Sequence, residues 1–190
     1  MNACCYDTLM RPFERLALQS LRKELLGSLE GTTLEIGFGT GVNFEHYSFP
    51  EQVIAIEPDL DMSKSCSAPP GLQVRDWSAE NLPLPDDQFE NVVSTLVLCS
   101  VPDLPDCLSE LKRVLTPDRQ LHFIEHVKGE GMIGRLHDLC TPLWSRIAGG
   151  CRLNRHTVQA IEAAGFQLQE CEVSFQFLGT PFVWGRALNA

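Results

Sequence analysis

Three glycines set the first chemical constraint. In Leu34-Glu35-Ile36-Gly37-Phe38-Gly39-Thr40-Gly41-Val42-Asn43 a short apolar run ends in a turn with glycine at 37, 39 and 41. Glycine lets the chain turn sharply and lets a ligand approach main-chain N–H groups. A second apolar run, residues 53–56, ends at Glu57, 16 residues beyond Gly41. A carboxylate at the tip of a second strand can accept both hydrogen bonds of a ribose diol. These residues point to a ligand carrying a nucleoside. Further on, Glu125-His126 closes another apolar run and offers a carboxylate and an imidazole for proton transfer. The alternative role for His126 is to hydrogen-bond a loop or helix end. His122, inside that run, reads as structural.

The elements that must hold these residues follow from periodicity. Residues 8–29 repeat apolar positions at helical spacing, entered through Pro12. Residues 32–37, 53–56, 73–75, 91–99 and 120–125 read as strands, and 166–175 and 182–188 as two more. Helices are expected over 107–115 and over 132–148, the latter bent at Pro142. A third is expected from an Asn154 cap to just before Gly165. Strands alternating with helices give an α/β fold: a mostly parallel seven-stranded sheet, helices on both faces, an antiparallel last strand. The whole chain, 1–190, is expected to be one domain.

The glycine spacing departs from the dinucleotide fingerprint G-x-G-x-x-G, which wants glycine where Val42 stands. That argues against a nicotinamide oxidoreductase. With Glu35 two places before Gly37, the segment resembles motif I of the class I S-adenosylmethionine-dependent methyltransferases, which have a Rossmann-like fold. Trp77-Ser-Ala-Glu-Asn-Leu-Pro-Leu-Pro85 resembles that family's third-strand segment, and residues 89–98 its fourth strand. Residues 108–117 resemble its turn before the fifth strand, with Asp118-Arg119 in place of two glycines. A narrower resemblance joins Thr95-Leu-Val-Leu-Cys-Ser-Val101, Phe123-Ile-Glu-His-Val127 and Gly150-Cys-Arg-Leu-Asn-Arg155 to the methyltransferase-like branch whose members methylate alkyl thiols.

The resemblance implies S-adenosyl-L-methionine as cofactor and S-adenosyl-L-homocysteine as product. It carries cofactor contacts onto Glu35, Gly37, Phe38, Gly39, Gly41, Asn43, Glu57, Pro58, Trp77, Ser78, Ala79, Thr95 and Leu96. Ser78 stands where the family has an aspartate for the adenine amino group. That contact then falls to Ser78, the neighbouring backbone and Trp77. His126 and Glu125 are the candidate catalytic pair. The acceptor is expected to be a small, fairly apolar molecule, a thiol first. A phospholipid head group or small amine is the alternative, as is a binding module without turnover. Residues 128–152 are expected to cover the acceptor, as a lid or as a surface touching anionic lipid.

The balance of the chain narrows its partners. It has 15 basic and 25 acidic residues, a formal net charge of −10. A general nucleic-acid surface is not expected. Residues 112–190 are slightly basic, with 9 bases and 7 acids, so an anionic partner would meet that half. No apolar run approaches the roughly 18 residues of a membrane span. The expectation is a cytoplasmic protein with free thiols. The 8 cysteines form no Cys-x-x-Cys pair, so no metal site is expected. Cys151 could be a reactive thiol beside two arginines, but a buried structural cysteine is the commoner case.

Overall fold

Short apolar runs alternate with amphipathic ones, and in this computed structural model they form one seven-stranded sheet covered by helices. The described residues are 18–190, apart from Ser65 and Leu178. In chain order they comprise α1 (Gln19–Leu26), β1 (Thr33–Ile36), β2 (Val53–Ile56), α2 (Leu60–Ser63), β3 (Gln73–Arg75) and β4 (Phe89–Thr95). Then follow α3 (Leu104–Val114), β5 (Leu115–His126), α4 (Gly131–Ile147), α5 (Thr157–Ala163), β6 (Phe166–Phe177) and β7 (Thr180–Asn189).

The strand order is β3-β2-β1-β4-β5-β7-β6. Strands β1 to β5 are parallel, and β7 runs antiparallel to both of its neighbours. The chain winds outward from β1 to β3, then returns to place β4 on the other side of β1. Ligands of open α/β sheets bind at such a reversal, outside the carboxyl ends of the strands.

Strand residues alternate between two cores, as the pleat requires. Leu34, Ile36, Val92 and Phe123 pack with Leu108 and Leu111 of α3 and Ile161 of α5. Ala55, Val93 and Ile124 pack on the other face with Leu25 and Leu26 of α1 and with Phe44. Helices therefore cover both faces.

Several boundaries differ from the sequence expectation. The fourth strand ends at Thr95, not at residue 99, although the apolar run continues. Leu96 takes φ +59°, and the backbone turns away from the sheet. The fifth strand starts at Leu115, where a register shift opposite Phe89 and Asn91 absorbs residues 116–119. Asn154 does not cap the last helix. Its side chain donates to Asp138 at 3.1 Å, and α5 begins only after His156. Of the expected N-terminal helix, α1 is present, while residues 1–17, with Pro12, lie outside the described residues.

The β6–β7 pair closes tightly at Gly185. A Cβ there would collide with the Glu170 carbonyl oxygen and lie 2.8 Å from Phe123 Cζ. Gly185→Ala is expected to lower stability by about 1–3 kcal/mol through overpacking. Denaturant unfolding measures this. An unchanged midpoint would show that the strands yield at this point.

Candidate active site

The glycine turn leaves β1 with its backbone pinned on both sides. Gly37 has φ +59°, and a Cβ on it would lie 2.5 Å from Val97 Cγ2. Val97, just past β4, therefore allows only glycine beside it. Gly39 is different: an added Cβ meets nothing nearer than Met62 Cε at 3.6 Å. The turn is open there, so a ligand can come close to the main chain. Gly41 packs inward, against Phe44 and Cys66.

Glu57 reaches back from the tip of β2. One carboxylate oxygen accepts the Gly39 N–H at 3.0 Å and the other accepts the Asp59 N–H at 2.9 Å. Burial raises its pKa, while these two N–H groups oppose the rise. Pro58 beside it is exposed. Across the crevice, Trp77 packs partly on the core and carries the Arg75 guanidinium 5.8 Å above its ring. The Ser78 hydroxyl donates to the Glu80 carboxylate, and Ala79 is buried. Gly37, Gly39, Glu57, Pro58, Trp77, Ser78 and Leu96 thus form the accessible rim around the strand ends.

Other expected contact residues turn inward. Phe38 is buried, its ring tilted on Phe44 at 5.4 Å, so only its backbone faces the turn. Glu35, Asn43 and Thr95 bind one another. The Asn43 amide donates to Glu35 and to Thr95 Oγ1, both at 2.9 Å, and the Tyr47 hydroxyl donates to Glu35 at 2.9 Å. Arg22 of α1 donates to Asn43 and, at 2.9 Å, to Thr95 Oγ1. Burial pushes the Glu35 carboxyl up to about 7, against the pull of Asn43, Tyr47 and Arg22. Among the described residues, these side chains stiffen the turn from behind.

Glu125 corrects the expected catalytic pair. It is fully buried, and its Oε1 accepts from Ser94 Oγ at 2.8 Å and from the N–H groups of Val97 and Leu98, each at 3.0 Å. A carboxylate sealed in this way ties the turn after β4 and cannot reach an acceptor. Burial raises its pKa, countered by those three donors.

His126, the next residue, points to a different partner. Its Nε2 lies 3.0 Å from Cys151 Sγ, and its ring packs on Phe182, centroids 6.0 Å apart. The Trp144 indole N–H also donates to Cys151, at 3.3 Å. Hydrogen bonding from Cys99, then from His126, pulls the Cys151 thiol well below the usual thiol range despite burial. Cys99 moves the opposite way, its thiol held by Cys151 and by burial. For His126, burial opposes the proton, but the Cys151 contact and the Glu125 charge outweigh it and raise the pKa. The sequence leaves Cys151 between a reactive and a structural thiol, and nothing in it marks Cys99 as its partner. They are 52 residues apart in the chain, and no local spacing signals their meeting. His122 is structural as expected, buried against Asn91 at 3.2 Å and lowered to about 4 by burial.

The 128–152 segment turns one side inward and the other outward. Gly134 and His137 are the buried residues of α4, and His137 binds the Gly129 N–H at 3.1 Å and Thr180 at 3.0 Å. Trp144 turns toward Cys151. Met132, Leu136, Leu139, Leu143 and Ile147 turn outward, Met132 being 84% and Leu139 78% exposed. Exposed Arg135 and Arg146 lie on the same helix. Among the described residues, no helix is long and apolar enough to cross a membrane.

Comparison with known proteins agrees with this architecture. Residues 34–123 match the methyltransferase domain family. The rat thiol S-methyltransferase TMT1B is 37% identical over 85% of this chain and 69% of its own length. The human thiol S-methyltransferase TMT1A is 30% identical over 88% of this chain and 74% of its own. Among solved structures, an S-adenosylmethionine-dependent methyltransferase from Aquifex aeolicus superposes with TM-score 0.70 over the full length of both chains, at 20% identity, which shows the fold.

Proposed function

Because the chain belongs to the S-adenosylmethionine-dependent methyltransferases, in the family that holds the thiol S-methyltransferases, we propose that it methylates a small, fairly apolar thiol. The observation that supports the acceptor class is the identity with thiol S-methyltransferases over most of the chain, and the His126–Cys151 contact at the carboxyl end of β5 offers groups for the acceptor's proton. S-Adenosylmethionine, when bound, supplies a methyl group on a sulfonium, transferred in line to a nucleophile. The chain's part is to hold both reactants aligned and to favour the acceptor's thiolate.

The residues present fit the cofactor. The open main chain at Gly39 admits a close ligand, and the Glu57 carboxylate at the tip of β2 matches a ribose diol. Trp77 and Ser78 would border the adenine, and Glu80, which accepts from Ser78, would supply the carboxylate that the family has at the position of Ser78. Leu96 and Val97 would border the methionine part. Glu35, Asn43 and Thr95 act through the turn, and Glu125 positions Val97 and the residues after it. His126, with Cys151, favours loss of the acceptor proton. The single methyltransferase unit spans 1–190, and 128–152 supplies Trp144 over the acceptor.

The outward apolar row of α4, flanked by Arg135 and Arg146, suits the headgroup zone of an anionic membrane, from which an apolar acceptor would be drawn.

Glu57→Ala is expected to weaken S-adenosylhomocysteine binding by about 1–3 kcal/mol in calorimetry, since buried hydroxyls lose their acceptor. Gly39→Val should abolish binding. Unchanged affinity in both variants would place the cofactor elsewhere.

Labelled cofactor and a panel of thiols, amines, phenols and phospholipids should show thiol methylation. Amine methylation without thiol methylation would overturn the acceptor class. A thiol of pKa about 8.5 is only a few per cent thiolate at pH 7. Complete deprotonation can therefore raise the rate by about 30-fold at most. His126→Ala should lose up to that factor at pH 7 and little at pH 9, with cofactor affinity kept. Wild-type rates across pH 6–9 would remove His126 from the reaction.

Co-sedimentation with phosphatidylserine-containing vesicles should be measurable and fall with salt. Leu139→Asp with Leu143→Asp should reduce it. Equal recovery with and without vesicles would refute the membrane contact.

A further inference from the structure

Two thiols and an imidazole from three separate segments meet beside the strand ends. Cys99 follows the turn after β4, His126 ends β5, and Cys151 lies beyond α4. Their ligand atoms, two Sγ and one imidazole nitrogen, all lie within 4.8 Å of one another. We propose that this trio binds a zinc ion whose open fourth position takes the acceptor as its thiolate. The second half rests on the thiol reading given above; the ion site does not.

Zinc–sulfur bonds of about 2.3 Å and zinc–nitrogen bonds of about 2.0–2.1 Å put tetrahedral ligand atoms roughly 3.6–3.8 Å apart. The present spacings, 3.0 Å from His126 Nε2 to Cys151 Sγ and none above 4.8 Å, bracket that range. Two thiolates and an imidazole suit zinc and disfavour magnesium or calcium, which take oxygen ligands. Among the described residues no fourth Cys, His, Asp or Glu joins the group. Three protein ligands with one open position is the pattern of a reactive zinc site, whereas a structural site is closed by four.

The surroundings hold the ligands firmly. The Arg152 N–H donates to the Cys99 carbonyl at 2.9 Å, fastening the two cysteine segments together. The Arg155 guanidinium donates to the carbonyls of Leu98 and Val101 on either side of Cys99. The Trp144 indole N–H on Cys151 is an outer-sphere partner of the kind that tunes metal thiolates. Cys99 and His126 are buried, and Cys151 and Trp144 are half-buried, so any approach to the group is from their side. Cys99 Sγ also lies 3.5 Å from the Leu96 carbonyl oxygen, in the bend that carries Val97, and Val97 touches the glycine turn.

The chemistry balances without an oxidant or reductant. An acceptor thiol coordinates zinc and releases its proton to solvent. Its sulfur lone pair forms the new S–C bond with the methyl carbon. The sulfonium C–S bond breaks, and its electron pair stays on the departing thioether sulfur. The ion lowers the thiol pKa, and His126 then acts as a ligand on the ion.

The test is metal binding by the full chain in a reducing, thiol-free buffer. Cobalt(II) should bind at one equivalent with thiolate-to-metal charge-transfer absorption and tetrahedral visible bands, and zinc should displace it. Cys99→Ser, Cys151→Ser and His126→Ala should each weaken zinc binding by more than about 100-fold, beyond what loss of an outer-sphere partner does. Cys140→Ser, at an exposed cysteine, should change nothing. Added thiol acceptor should shift the charge-transfer band, and an amine should not. Absence of stoichiometric cobalt or zinc binding by folded protein, or the same spectrum from Cys151→Ser, would overturn the site. Thiol methylation by metal-free protein would also overturn zinc activation while leaving the thiol reading standing. Stoichiometric zinc with no thiol shift and no thiol methylation would support the ion site and overturn the acceptor half.

Discussion

The carboxylate of Glu125 governs the working end of the sheet. It lies at the end of β5, wholly buried, and takes hydrogen bonds from a hydroxyl and two backbone N–H groups of the neighbouring segment. Each of those donors would cost about 1–3 kcal/mol if left buried and unpaired. The apolar run of β4 therefore cannot continue as a strand. It bends at Leu96, whose positive φ is a strained conformation for leucine, and strain of this kind gathers at functional sites. The bend aims Val97 at Gly37 and delivers Cys99 to Cys151. Glycine turn and thiol cluster thus share one anchor.

A second buried network does the same for the other half of the crevice. Arg22, Asn43, Thr95, Glu35 and Tyr47 link α1, the glycine turn and the ends of β1 and β4. Buried polar groups that satisfy one another rigidify their surroundings, because any movement leaves one of them unpaired in a poor solvent. The turn is thereby fixed from behind while its front, at Gly39, stays open. Rate gain in methyl transfer comes chiefly from alignment, and a rigid turn facing a rigid bend is how this fold provides it.

The division between the two halves also appears in charge and chemistry. The strongly acidic part of the chain builds β1 to β4 and the Glu57 side of the crevice, while the slightly basic part supplies the His126–Cys151 side and the exposed face of α4. The sheet joins the two parts where β4 pairs with β5, one strand beyond the reversal of strand order between β1 and β4. Neither half makes the site alone.

Features that rest on local pattern were legible in the sequence. Periodicity and turn chemistry located all seven strands, the antiparallel β7 and the glycine turn with Glu57, because each depends on residues close in the chain. Side-chain destinations were less legible. Glu35, Asn43, Phe38 and Thr95 carry the right motif, yet they point inward, since pleat direction and packing behind the turn decide where a motif residue faces. The end of β4 was misread because an apolar run does not reveal a carboxylate waiting on the next strand. Cys99 and Cys151 meet across 52 residues. Only tertiary structure could join them, because their contact is created by how β4, β5 and the segment after α4 pack, and no local rule fixes that distance.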